Sequence, residues 1–130
     1  MNFVRRSAIT ALTLFFCHQT VATSDESVPI KNTFQASVIR GEIVFSSYCT
    51  LCHGITGEGN GRAAKLHNPR PANLRKSMVP DIYKEMIIRK GGGGWGRSPD
   101  MPSWQDELTE EQIHDVVNFL RTIAPADAEK

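Results

Sequence analysis

The sequence is short of the residues that most site chemistries need. Three cysteines occur in 130 residues, and only Cys49 and Cys52 stand close together, in "YCTLCHG". A structural zinc centre takes four ligands, commonly from a second C-x-x-C or a histidine pair at finger spacing. No such partner exists, because His67 and His114 fall at no recognisable spacing from the pair. There is no Ser/His/Asp set, no phosphate loop and no pair of carboxylates in a defined frame. Charge of one sign is missing too. The formal net charge is +1, where a nucleic-acid-binding domain would be clearly basic. No segment is apolar for the roughly 20 residues that a membrane-spanning helix requires.

The longest apolar run, Ala8 to Cys17, is about half that length. It follows Arg5 and Arg6 and precedes small residues, with Thr20-Val21-Ala22 and Ala22-Thr23-Ser24 both acceptable before a cut. These are the three parts of a secretory signal. Residues 1–24 are therefore expected to be removed, and Cys17 with them. Bulky Phe16 ahead of Cys17 speaks against a lipoprotein anchor there. The mature protein is expected to be soluble, exported and periplasmic, keeping only Cys49 and Cys52. Losing Arg5 and Arg6 and no acid takes the net charge from +1 to −1.

That small value hides an uneven spread. Between Arg62 and Arg97 nine basic residues face two acids, a balance of +7, while from Ser98 onward two bases face eight acids, a balance of −6. Two solvated faces are one account of this; a dipolar surface that orients the protein on a charged partner is the other.

Along the chain, Asp25 to Gln35 is polar, contains Pro29 and reads as a flexible tether. From about Ala36 to Tyr48, Val38, Val44, Phe45 and Tyr48 recur at helical spacing. Gly41 sits inside that stripe, where it costs stability unless something packs closely on it. "GITGEGNGRAAKLHNPRPANL" is a loop by composition. Pro80 and Asp81 open a helix that Gly91 closes, with Ile82, Met86, Ile87 and Ile88 as its half-buried face. A second glycine-rich loop, "GGGGWGRSPDMPSW", leads to the last helix. There Thr109 and Gln112 form a capping box, and Leu108 and Ile113 the hydrophobic staple around it. Ile113, Val116, Val117 and Leu120 continue the helix toward Pro125. No strand is convincing. The class is all-α with long loops, the domain spanning residues 36–124 and a tail 125–130. A mature domain of about 100 residues with so many loops has little core, and such domains commonly lean on a disulfide, a metal or a cofactor.

Which of these applies turns on His53. A thiol–disulfide switch wants its pair after a strand, and none precedes Cys49; a bare disulfide would be ordinary in an exported chain. C-x-x-C-H uses every residue of the stretch, and it is the attachment signature of c-type haem. Cys49 and Cys52, three apart on a helix face, would each form a thioether to the haem. His53 would ligate the iron through one ring nitrogen, the other needing a carbonyl acceptor.

Over residues 36–124 the chain resembles a small class I, mono-haem, bacterial c-type cytochrome. Gly41, Phe45 and Cys49 stand at that family's spacing, and "CHGITGEGNG" is similar to its CHG-x-x-G-x-G run. The resemblance implies the class I fold, few helices and long loops wrapped around one haem, in which Gly41 and Phe45 meet Val116 and Phe119 of the last helix. In many relatives a proline follows the glycine that stands here as Gly61, and its carbonyl accepts from the proximal histidine. Here that residue is Arg62; its own carbonyl, Pro69 and Pro71 are the candidates for the role.

For the sixth ligand, Met101 in "SPDMPSW" stands between two prolines, 48 residues after His53, and resembles the family's M-P-x-[FW] ligand loop. A thioether there would favour ferrous iron. Met86 reads as core and His114 as solvent-facing; Met78, a partly exposed loop residue, and His67, a polar-loop residue able to give a bis-histidine haem, are the lesser candidates. Trp95 and Trp104 flank the methionine loop as candidates to pack on the haem edge. Arg75 and Arg97 are candidate partners for its propionates, with ordinary solvation the alternative. The function implied is electron transfer between redox partner proteins, a dehydrogenase and an oxidase among the candidates, rather than enzyme catalysis. Two alternatives stay open: a gas- or peroxide-binding haem with an open sixth site, and a haem subunit docked in a dehydrogenase or oxidase complex.

Overall fold

Thr33 starts the first helix. Its backbone is extended and its side chain accepts from the amide of Ala36 at 3.1 Å, which satisfies one of the donors a helix start leaves unpaired. The computed structural model describes residues 30–124; the expected signal, with Cys17, and the tail 125–130 lie outside the described residues. Four helices appear in order: α1 (Phe34–Tyr48), α2 (Thr50–His53), α3 (Asp81–Lys90) and α4 (Glu110–Ile123). Short 3-10 turns at Ile30–Asn32, Ala64–Leu66, Leu74–Lys76 and Gly93–Trp95 punctuate the loops. Among the described residues there is no strand, so the all-α class expected from the sequence holds. Helix α1 begins two residues before the expected Ala36, because Thr33 supplies a cap the apolar pattern does not reveal.

The frame is the crossing of α1 and α4. Gly41 makes it possible: a Cβ there would sit 1.9 Å from the carbonyl oxygen of Asp115 and 3.0 Å from Cβ of Phe119. One helix turn on, the rings of Phe45 and Phe119 meet with centroids 5.2 Å apart. The predicted contact with Phe119 is there, and the atom nearest the glycine itself is the backbone carbonyl of Asp115, beside the expected Val116. Asp115 is buried, and its carboxylate accepts from Ser37 Oγ at 2.5 Å, Arg40 Nε at 2.6 Å and Arg40 Nη2 at 2.9 Å. Asn118 Nδ2 donates to Ser37 Oγ at 2.8 Å and closes the cluster. A buried carboxylate without such partners would be costly, so the polar cluster and the glycine together fix how the two helices cross.

The apolar core is Val44, Phe45, Ile88, Leu108, Ile113, Val116, Val117 and Leu120. Each such side chain contributes about 2 kcal/mol by leaving water. Helix α4 carries both features the sequence predicts for its start, the Thr109/Gln112 box and buried Leu108 and Ile113. Helix α3 has its predicted span but a different face. Ile82 is 66% exposed, while Lys84 is buried. The inward positions are Lys84, Ile87 and Ile88, and Asp81 takes the Lys84 ammonium at 2.8 Å. A lysine can bury its methylene stem when the charged head is paired, a choice that hydrophobicity alone does not register. Asp81 also meets Arg121 at 3.3 Å, and Arg89 bridges to Glu110, so two ion pairs join α3 to α4.

Candidate functional site

Helix α2 is a single turn that presents Cys49, Cys52 and His53. A helix this short does not stand unaided, and the run after it supplies the support. Ala63, Gly61 and Gly59 donate backbone hydrogen bonds to the carbonyls of Leu51, Cys52 and His53 at 3.0, 3.1 and 2.7 Å. Gly59 has φ +76°, and a Cβ there would fall 2.3 Å from the carbonyl oxygen of Pro71. Only glycine allows the returning chain to lie between α2 and the segment at residues 71–72.

That segment fixes His53. Its Nδ1 lies 3.0 Å from the carbonyl oxygen of Ala72. A carbonyl can only accept, so Nδ1 carries the proton and Nε2 keeps its lone pair. None of the three candidate acceptors, Arg62, Pro69 or Pro71, serves. Any residue offers a backbone carbonyl, so no side-chain pattern could have pointed to Ala72. Burial lowers the pKa of His53, with the Ala72 hydrogen bond opposing it. The neutral imidazole, the form that ligates a metal, is thereby favoured.

Cys49 and Cys52 are not joined in a disulfide. Burial, with a smaller contribution from Cys52, pushes the Cys49 thiol up to about 12. Such a thiol stays protonated at neutral pH, the reverse of what a disulfide-exchange nucleophile or a thiolate metal ligand needs. Among the described residues no three of His, Cys, Asp and Glu gather where they could hold a metal ion. The zinc and redox-pair readings therefore have no support in the fold.

Both cysteines and His53 line a cavity of about 480 Å³, walled mainly by Leu74, Val79, Ile87, Ile88, Leu108, Val116 and Leu120. The volume lies within the range of ligand pockets, and apolar walls with a few polar groups suit a flat aromatic cofactor. Met101 lines the same cavity and packs on the core. Its loop is closed on itself, Gly92 N donating to Met101 O at 3.0 Å, and tied to α3, Trp104 N donating to Ile88 O at 3.0 Å. Trp104 lines the cavity and meets Tyr48 edge-on, with centroids 5.4 Å apart. The donor set, the imidazoles of His53 and His67, one thioether and two cysteine sulfurs around an apolar slot, fits a covalently attached haem.

Other candidates sort cleanly. Met78 is 54% exposed, His114 is exposed, and with Met86 both lie outside the cavity lining. Trp95 lies outside it, its ring edge-on to Tyr83 with centroids 5.8 Å apart, while Trp104 is the tryptophan that lines the cavity. Arg97 lines the cavity and Arg75 does not. His67, from a loop polar enough to be read as solvated, does line it. Lys84 and Tyr48 line it as well, without a sequence cue.

No helix among the described residues is long and apolar enough to cross a membrane. The family model described as "Cytochrome C oxidase, cbb3-type, subunit III" matches residues 36–120. Cytochrome c-555 of Methylococcus capsulatus (Bath) is 27% identical over 118 residues, 91% of this chain and 81% of that protein. Among solved structures, a chain of a reducing HAO-like protein complex of Kuenenia stuttgartiensis matches with a TM-score of 0.55 and 31% identity. That match covers 67% of this chain and 42% of the other, so the chain spans less than half of that neighbour. A family match that runs from α1 through the cysteine pair and into α4 means that the chain belongs to that family and is a small mono-haem c-type cytochrome, whose covalent haem serves electron transfer.

Proposed function

We propose that the protein is an exported carrier of single electrons between redox proteins, its haem held by Cys49 and Cys52 and ligated by His53 and Met101. The observation that carries the proposal is that His53 and Met101 line one cavity, with the second His53 nitrogen already engaged by Ala72. Haem iron with such ligands supplies one-electron ferrous/ferric exchange. The chain's own residues do the rest. The Ala72 carbonyl holds the imidazole in the ligating tautomer and raises its basicity. The neutral Met101 thioether favours ferrous iron over ferric. Ile87, Ile88, Leu108 and Leu120 keep water from the ligand bonds.

A filled sixth position argues for a carrier over a gas-binding or peroxide-binding protein. Carbon monoxide added to the reduced, haem-loaded protein tests this. Slow or absent binding supports the carrier, and rapid stoichiometric binding supports the open-site alternative. A docked-subunit role draws support from the oxidase-subunit family and from a structural neighbour found within a larger complex. The partner surface proposed is the basic stretch from Arg62 to Arg97, steering toward an acidic redox protein. Electron exchange should then slow steeply with added salt, and a salt-independent rate would count against it.

A further inference from the structure

We propose that His67 is a positioning residue for Met101, a strap that ties the loop bearing the methionine to the cysteine end of the haem site. The proposal rests on the His53/Met101 ligation argued above. The His67 ring is engaged at both ends. Nδ1 lies 3.1 Å from Asp100 Oδ2, and Nε2 lies 3.6 Å from Cys52 Sγ. An ionised carboxylate only accepts, so Nδ1 donates to Asp100. The Nε2 edge, left with its lone pair, lies against the sulfur of Cys52. Once that sulfur is a thioether it has no proton to donate, and the contact is one of packing alone. The Asp100 bond is what fastens the loop.

Asp100 immediately precedes Met101, and the remaining hydrogen bonds of this loop explain why the strap matters. Met101 N donates to Ser98 O at 3.2 Å, Asp100 N to Ser98 Oγ at 3.2 Å, and Arg97 N to Gly92 O at 3.1 Å. Gly91 N donates to Ile87 O at 2.8 Å, and Tyr83 Oη to Trp95 O at 3.3 Å. All of these stay inside the loop or run to α3. Among the described residues, His67–Asp100 is the one hydrogen bond from the methionine loop to the segment that follows the haem-binding motif. Without it the loop's hydrogen bonds run only within itself and to α3, and packing of Trp104 on Tyr48 is its remaining tie to α1. Methionine has three rotatable bonds, so the position of its sulfur follows the backbone that carries it. His67 is partly and Asp100 more widely exposed to solvent. A pair of that kind adds little to global stability, and its effect falls on local opening of the loop.

The test uses haem-loaded wild type, His67→Ala, His67→Gln, Asp100→Ala, the double variant, and His114→Ala as a control at an exposed histidine outside the cavity lining. The readouts are the methionine-to-iron absorption of the ferric protein, the rate of carbon monoxide binding to the ferrous protein, and the melting temperature. His67→Ala should weaken the absorption and speed carbon monoxide binding by about tenfold, the equivalent of one hydrogen bond to a charged group. Asp100→Ala should match it, the double variant should add nothing, and His67→Gln, whose amide can still donate, should recover part of the effect. Melting temperatures should barely move. If His67→Ala does not load haem, Asp100→Ala carries the same test from the other end of the bond. Wild-type absorption and carbon monoxide rates in both single variants, with Met101→Ala still abolishing the absorption, would overturn the strap and leave the Met101 ligation standing. A spectrum lost in His67→Ala and retained in Met101→Ala would make His67 the ligand and overturn both.

Discussion

Gly41 lies so close to Asp115 that a Cβ on the glycine would fall 1.9 Å from the aspartate's carbonyl oxygen. The clashing atom belongs to the backbone of α4, so no side chain can swing aside. Gly41→Ala must therefore push α1 and α4 apart and open the Phe45–Phe119 contact. Overpacking of this kind costs about 3 kcal/mol, which in a domain this size lowers the melting temperature by roughly 10 °C or more. Thermal unfolding of the haem-loaded variant checks it, and an unchanged midpoint would mean the helices do not touch there.

Asp115 itself is the second point of failure. Asp115→Ala leaves the Ser37 hydroxyl buried without its acceptor, while Arg40, whose side chain is 34% exposed, can still reach Glu111 and water. A loss of about 2 kcal/mol follows from the unpaired buried hydroxyl. Asp115 lies outside the cavity lining, so urea unfolding should shift while the reduction potential stays put. A shifted potential would show that this cluster reaches the haem.

The glycine behind the proximal histidine makes the opposite prediction. Gly59→Ala places a Cβ 2.3 Å from Pro71 O and 3.1 Å from Ala72 O, in a backbone conformation alanine rarely adopts. The Ala72 carbonyl is pushed away from His53 Nδ1. An imidazole that loses this acceptor is less basic and a poorer donor to ferric iron, so the potential should rise. A redox titration of the variant reads it, and an unchanged or lower potential would detach the Ala72 hydrogen bond from the iron.

How far the sequence could be read depended on the kind of signal. The C-x-x-C-H stretch, the Thr109 capping box and the span Asp81–Lys90 are local patterns in which neighbouring residues fix the outcome, and the fold follows them. Ile82, expected on the half-buried face, lies outward, while an ion pair to Asp81 lets Lys84 lie inward. The acceptor for His53 is a backbone group, which leaves no trace in side-chain identity. His67 reaches the cavity through a partner 33 residues away, a separation at which composition still reads as a polar loop. Trp95 and Trp104 flank the methionine loop alike in sequence, yet Trp95 meets Tyr83 of α3 while Trp104 lines the cavity.

The most direct measurement is a spectrally monitored redox titration of the haem-loaded protein beside its Met101→Ala variant. A single reversible, clearly positive potential that falls sharply in the variant, with the methionine-to-iron absorption lost, is the predicted result. A low wild-type potential, or a variant indistinguishable from wild type, would contradict His53/Met101 ligation and with it the electron-carrier assignment built on a filled sixth position.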